Sequence, residues 1–406
     1  MNVVFVAPHF PTYQKQFVRA LKEVGANVFG IGEADFYDLP DEVQNWLTWY
    51  ERVPSVTSDD AMIDAVRRIQ ERVWVDKLIA TIEAHMLCAA RVREVCTIPG
   101  MNIEQTLLCR DKTMMKDFMR EHGIPTAASK AANSAAEVRA FAKEHGYPII
   151  LKPRDGAGAA ATYRADDEAS LQSALEEIGG SGTQSIAVEE FVEGHEGFYD
   201  TLTVGGEVVH EFISHYYPNV LEAMRTRWIS PVIITTNRVD SPGYDEVKTM
   251  GRKVIKELGL GTVPTHMEWF FGNKGLKFSE IGARPPGVGH WDLYCAANDI
   301  DLYKEWAHAV VYGSAPGHLS RNYSAAIINL RPSQDGTIAW YEGLEPIMDK
   351  YNHLIIRGYM PEPGTPTQEV AAGYMANAWI QLKHPDYDEL RGVLTEIGET
   401  LKVIAH

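Results

Sequence analysis

Between Thr265 and Gly287 the chain reads THMEWFFGNKGLKFSEIGARPPG, and few folds accommodate such a stretch. The runs HMEWFF and LKFSEI are rich in aromatic and large apolar residues and flank an Asn-Lys-Gly turn signal, the pattern of a β-hairpin. A three-residue loop at Asn273-Lys274-Gly275 would give Gly275 the left-handed position. Residue 272 then faces 276, and Glu268 stands directly opposite Glu280. Because strand side chains alternate between faces, His266, Glu268, Glu280 and Arg284 share one face. Like charges directly opposed destabilise a sheet. A positive group is therefore expected between them, and a hard divalent cation with oxygen ligands suits the position. Two carboxylates on a solvated face, or a four-residue loop that offsets them, are the simpler alternatives at this point.

The rest of the chain bounds what that hairpin serves. Its 406 residues, 45% hydrophobic and 23% charged, are enough for two or three domains around real cores. A formal net charge of -17 disfavours nucleic acid or an anionic membrane as the main partner. Small anionic substrates need only a few lysines and arginines, so they stay in play. Cys88, Cys96, Cys109 and Cys295 show no metal-type pairing and suit a reducing cytosol as small buried hydrophobes. No apolar run reaches membrane-span length, and MNVVFVAP reads as a buried strand rather than a signal peptide. A cytoplasmic chain is expected.

Residues 1–100 alternate strands and helices: VVFVAP, TYQKQFVRALKEVG, NVFGIG, DDAMIDAVRRIQERV, VDKLIAT and IEAHMLCAARVREVC. That order predicts a doubly wound parallel sheet. Ligands lie at strand C-termini in such sheets, here near APHFP, GIGE and Thr81 to Glu83. His9 and Glu83 are either substrate contacts or polar turn residues. No G-x-G-x-x-G follows the first strand. Residues 101–313 read as a mixed α+β unit. In it RDKTMMKDFMREHGIPTA forms a helix stopped by Gly123, and Ser134 caps SAAEVRAFAKEHG, which Gly146 closes. YPIILKP and SIAVEEFV are strands, and FYDTLTVGGEVVHEFISHYY is a hairpin turning at Gly205-Gly206. Residues 314–406 look β-rich with a final helix over DYDELRGVLTEIGETLKVI.

Two further segments carry chemistry. In ILKPRDGAGAAAT a strand ends at Lys152, and the following loop holds Gly156, Gly158 and alanines. Backbone N–H groups approach phosphate oxygens where side chains are small, and Lys152 would add a point charge. The lysine precedes the glycines, so this is not a Walker-type loop. In VEEFVEGHE, Glu189 and Phe191 share a strand face and Glu196 follows seven residues after Glu189. Such an edge suits a nucleoside, and it equally suits a charged, solvated strand end.

Taken in order, Lys112 on the RDK helix, Lys152 with its small-residue loop, Glu189 to Glu196, then Glu268, Glu280 and Arg284 resemble the ATP-grasp superfamily. The resemblance is to its carboxylate–amine ligases, such as the L-amino acid ligases, and covers almost the whole chain. It implies an ATP-grasp fold: an N-terminal doubly wound sheet domain, a nucleotide-binding subdomain at about residues 125–195, and a β-rich C-terminal subdomain. It implies ATP and Mg²⁺ (or Mn²⁺) as cofactors. Lys112 and Lys152 would contact the phosphates, with Lys152 also near the base, and the loop from Arg154 to Thr162 would close over them. Glu189 and the backbone of Phe191 would hold adenine, Glu196 the ribose, and Glu268 and Glu280 the metal. Arg284 would face the transferring phosphate and the acyl phosphate, and His266 would line the acceptor pocket. Arg227 or Arg225 would clamp a substrate carboxylate, or lie in surface salt bridges.

The expected activity is ADP-forming ligation of a small-molecule carboxylate to an amine, with an amino acid as one substrate, and a homodimer is possible. A carboxylating or formylating enzyme of purine or biotin type, or a non-catalytic nucleotide-binding protein, is the alternative. Two positions depart from the family. Gly282 stands where many members have a metal-binding Asn, and Ala159-Ala160-Ala161 stands where a serine is frequent.

Overall fold

A computed structural model describes residues 1–153, 162–180, 185–287 and 289–406 of the chain. Its first strand, β1 (Asn2–Val6), is buried from Val3 onward because helices cover both faces. With β2 (Asn27–Gly32), β3 (Trp49–Arg52) and β4 (Lys77–Ile79) it forms a wholly parallel sheet of order β3-β2-β1-β4. The connecting helices are α1 (Gln14–Glu23), α2 (Asp41–Trp46), α3 (Asp59–Gln70) and α4 (Met86–Val95). Val4 and Val6 pack with Met62, Val66 and Ile69 of α3, whereas Val3 and Phe5 turn to Phe17 and Leu21 of α1. This is the expected doubly wound layer. Its strand order reverses at β1, so the ends of β1 and β4 frame a crevice.

After α5 (Ile103–Leu108) comes α6 (Lys112–Glu121). Asp111 starts α6, accepting the N–H groups of Thr113 and Met114 at 3.0 Å each, and so sets Lys112 on the first turn. Gly123, at φ +67°, follows its end. A small antiparallel sheet of order β5-β8-β6-β7 is next. It is built from β5 (Ser129–Ala132), α7 (Ala135–His145), β6 (Ile149–Pro153), β7 (Tyr163–Ala165), α8 (Glu168–Gly180) and β8 (Ile186–Glu190). Val138 and Phe141 of α7 and Leu171 and Ile178 of α8 close its core over Ile149, Leu151 and Val188.

The remaining chain contributes β9 (His195–Val204), β10 (Glu207–Tyr217), α9 (Val220–Arg225), β11 (Val232–Thr235) and α10 (Asp245–Glu257). It continues with β12 (Pro264–Gly272), β13 (Gly275–Gly282), α11 (His290–Asn298), α12 (Leu302–Tyr312) and β14 (Ser324–Leu330). It ends with β15 (Ile338–Glu342), α13 (Leu344–Tyr351), β16 (Ile355–Tyr359), β17 (Ala378–His384), α14 (Tyr387–Thr400) and β18 (Lys402–Ala405). Eight of these strands make one antiparallel sheet, β13-β12-β9-β10-β11-β14-β17-β16, so strands from both sides of residue 313 lie in the same sheet. β15 and β18 pair separately, and the last helix stops at Thr400 instead of running on to Ile404.

One face of the large sheet carries Tyr199, Met267 and Trp269 onto Met250 and Val254 of α10. The other carries Phe198, Leu202 and Phe212 beneath Trp291, Tyr294 and Trp306 of α11 and α12. The hairpin of β9 and β10 turns at Gly205 and Gly206, both with positive φ, as two-residue hairpin loops demand. The hairpin of β12 and β13 differs in detail from expectation. Gly272 pairs with Gly275, so the loop is one residue tighter than three. Ser279 then bulges out of β13, and this extra residue restores the pairing of Glu268 with Glu280. Two one-residue offsets cancel.

Candidate active site

Beyond α11 and α12 the large sheet meets the small sheet and the first turns of α6 in a cleft of ≈ 430 Å³. Lys112 and Lys116 of α6, Lys152 of β6, Glu189 of β8, Glu196 of β9, Glu268 of β12 and Glu280 of β13 all line it. Lys112 Nζ lies 2.6 Å from Glu280 Oε2. Glu189 Oε2 holds two ammonium groups, Lys116 at 2.5 Å and Lys152 at 3.0 Å. Its other oxygen, Oε1, is buried without a hydrogen-bond partner among the described residues. Lysine and glutamate therefore alternate from the helix to both sheets.

The acid–base state follows from this lattice. Burial opposes ionisation of Glu189, yet Lys116 and Lys152 hold its carboxyl down at about 2. Burial likewise opposes ionisation of Glu280, and Lys112 and Lys152 hold it at about 2. Burial lowers Lys116 to about 8 against the pull of Glu189, with Lys152 adding to the fall. Glu189 and Lys116 move in the same direction because the carboxylate gains from two ammoniums, while for Lys116 burial outweighs its share of that one carboxylate. Glu196 is the reverse case: burial, then the charge of Glu268, raise it to about 8, although its Oε2 accepts the Val220 N–H at 2.7 Å.

Glu268 and Glu280 face each other across β12 and β13. Glu280 has Lys112, whereas Glu268 has the Tyr216 hydroxyl, donating to Oε1 at 3.3 Å, and His266 Nε2 at 3.6 Å. His266 Nδ1 is 2.7 Å from Asp200 Oδ1, and the Tyr294 hydroxyl donates to Asp200 Oδ2 at 2.5 Å. Burial resists a charged His266, but Asp200 and Glu268 raise it to about 9. Among the described residues no group of three His, Cys, Asp or Glu side chains makes a metal cage. Two opposed carboxylates beside lysines fit magnesium bound in the usual way, with one or two protein oxygens and substrate phosphates completing the shell.

The Phe191 N–H donates to Pro148 O at 3.2 Å, and the Arg164 guanidinium lies over its ring at 4.2 Å. Arg284 pairs through Nε with Glu83 and has Glu280 within electrostatic reach. Glu83 also takes Arg110 Nη1 at 3.0 Å, so this turn residue ties the parallel sheet to the end of β13. Arg227 is in an ion pair with Asp335 at 2.6 Å and is not on the cleft wall. Gly156 and Gly158 lie outside the described residues. At Gly282 an added Cβ would meet Glu83 Oε2 and the Arg284 Cγ at 3.4 Å, ordinary contact distance.

Sequence reasoning did not single out Lys116, Asp200, Tyr216 or Tyr294. Lys116 carries a readable signal, one helical turn after Lys112 on the same face. So does Asp200, which continues the alternation of Glu196 and Phe198 along β9. The two tyrosines reach the site from β10 and α11 through tertiary packing alone.

Residues 117–299 match the ATP-grasp domain family. The chain is 26% identical over 275 residues to the L-arginine-specific L-amino acid ligase of Bacillus subtilis, covering 66% of this chain and 65% of that protein. It is 24% identical over 315 residues to the uncharacterized protein y4rH of Sinorhizobium fredii, covering 76% of this chain and 64% of that protein. The chain thus spans a little under two thirds of the length of both relatives. Its fold superposes on the crystal structure of L-amino acid ligase from Bacillus licheniformis with a TM-score of 0.79 and 18% identity, covering 100% of this chain and 98% of that one. Residues 117–299 thus match an ATP-grasp domain, and the chain as a whole is similar to L-amino acid ligases in sequence and in fold.

Proposed function

We propose that the protein is an ADP-forming ligase that joins a small carboxylate to an amine through an acyl phosphate, with an amino acid as one substrate. The observation that carries this reading is the convergence of Lys112, Lys116 and Lys152 with the opposed pair Glu268 and Glu280 in one cleft. Similarity to amino acid ligases supports it. Bringing a carboxylate up to a nucleotide's terminal phosphate sets anion against anion, so catalysis is mainly positioning and charge neutralisation.

In this reading Lys112, Lys116 and Lys152 hold the phosphates. Glu189 keeps two of those ammoniums aimed into the cleft, and its unpartnered Oε1 is the acceptor left for the base's amino group. Because the Phe191 N–H already serves Pro148, the donor that reads the base edge moves to the neighbouring backbone at Val192, which also lines the cleft. Glu196 takes the ribose hydroxyls. Glu268 and Glu280 would hold magnesium, which would supply charge neutralisation. Arg284, steadied by Glu83, faces the transferred phosphoryl group. One carboxylate oxygen forms a bond to the γ-phosphorus as the bond to ADP breaks. The amine nitrogen then forms a bond to the acyl carbon, phosphate leaves, and the nitrogen gives up a proton.

The test is ADP release over a matrix of amino acids, with product mass read out and bicarbonate and formate run beside it. Ligation products with amino acids are expected. Turnover confined to bicarbonate or formate contradicts the reading, as does nucleotide binding with no product. Lys152→Ala and Glu280→Ala should each lower turnover about 100-fold or more while far-UV circular dichroism stays unchanged.

A further inference from the structure

We propose that His266 is a positioning residue for Glu268, acting with Asp200 and Tyr294, rather than a group that touches the acceptor substrate. The inference rests on the ligase reading above, in which Glu268 binds a divalent cation. Its own basis is the register of the sheet. His266 lies opposite Asp200 on β9, and Glu268 lies two residues further on, opposite Phe198 and Glu280. His266, Glu268 and Asp200 therefore project from one face in adjacent rungs.

Asp200 is 2% exposed, and both its oxygens are engaged, Oδ1 by His266 and Oδ2 by Tyr294. A carboxylate only accepts, so the proton shared with His266 sits on Nδ1. That leaves Nε2 pointing at Glu268 Oε1, 3.6 Å away. The tyrosine that fixes Asp200 is itself clamped, its ring stacked on Phe212 with centroids 4.2 Å apart and planes 10° from parallel. The imidazole edge packs on Phe198 at 4.9 Å. Ring position and approach to Glu268 are thus set before any ligand arrives. The arrangement also separates the two opposed glutamates: Lys112 steadies Glu280, and the Asp200–His266 pair with the Tyr216 hydroxyl steadies Glu268. Outer partners that orient a ligating carboxylate typically change metal affinity 10- to 100-fold when removed.

The test is titration of Mn²⁺ into the ADP-bound protein, with free Mn²⁺ read by electron paramagnetic resonance. His266→Gln should weaken the apparent Mn²⁺ affinity about tenfold or more, and Tyr294→Phe should weaken it by a smaller factor. ADP affinity in EDTA should stay within about twofold of wild type. In the ligation assay kcat should recover at raised Mg²⁺, with amino acid KM unchanged. Mn²⁺ affinity within about twofold of wild type in both variants overturns the proposal, and so does a raised amine KM that persists at saturating Mg²⁺. If His266→Gln does not fold, Tyr294→Phe alone decides. Wild-type protein that binds ADP but no Mn²⁺ would sink the ligase reading itself, a separate failure from wild-type binding that the variants leave untouched.

Discussion

Glu196 shows how far a residue's chemistry departs from its type. Its carboxyl is buried, lies on the sheet face of Glu268, and is raised from 4.5 to about 8. A raised carboxyl favours folding while protonated. Its contribution is full below the unfolded value near 4.5 and is lost as pH rises through about 8. Glu196→Gln keeps an oxygen for the Val220 N–H and removes the charge. In nucleotide- and metal-free protein it should therefore be more stable than wild type at pH 8, by up to about 1.4 kcal/mol for each pH unit above 4.5. Urea unfolding at pH 4.5 and pH 8 checks this, and a gap between the two proteins that does not widen with pH contradicts it. At this scale the sequence exposes most of the site. Lys112, Lys152, Glu189, Glu196, Glu268 and Glu280 are named through the order in which they resemble the ATP-grasp superfamily, and all line one cleft. What it hides is pairing. Nothing local says that Glu189 serves two lysines, or that Arg227 turns to Asp335.

Among the elements, α6 bears most directly on the site, since it delivers both Lys112 and Lys116. Its start depends on Asp111, whose Oδ1 takes two otherwise unsatisfied N–H groups. Asp111→Ala should cost about 1 kcal/mol of stability, read as a lowered urea midpoint, and should weaken nucleotide binding as the first turn frays. Asp111→Asn should behave nearly as wild type. Caps and glycine turns are legible because they obey local rules, as at Ser134, Gly146 and Gly205-Gly206. The Ser279 bulge is not. β13 is an edge strand, and its Phe278 N–H donates outward to Pro125 O at 2.7 Å. The irregularity answers a contact made more than a hundred residues away in the chain.

Over the whole molecule, the alternation of the first hundred residues was enough to predict the parallel layer, because parallel strands need helical crossovers. How that layer joins the rest was beyond local pattern. Phe17 of α1 packs against Trp291, Tyr303 and Trp306, with ring centroids 4.9 to 5.0 Å apart. Glu83, at the end of the same layer, grips Arg284. The segment after residue 313 reaches back as well. The Tyr374 hydroxyl is buried without a hydrogen-bond partner among the described residues, within electrostatic reach of Glu196 and Glu268. Stretches far apart in the chain thus brace the residues around the cleft, whose own lining runs from Lys112 to Glu280, and the ligation proposed for it would proceed through an acyl phosphate that must be kept from water. The most direct measurement of that reaction follows an oxygen atom. With a substrate carboxylate labelled by ¹⁸O, the account predicts one ¹⁸O atom in the phosphate released for each amide formed. Amide formation that releases only unlabelled phosphate would contradict it.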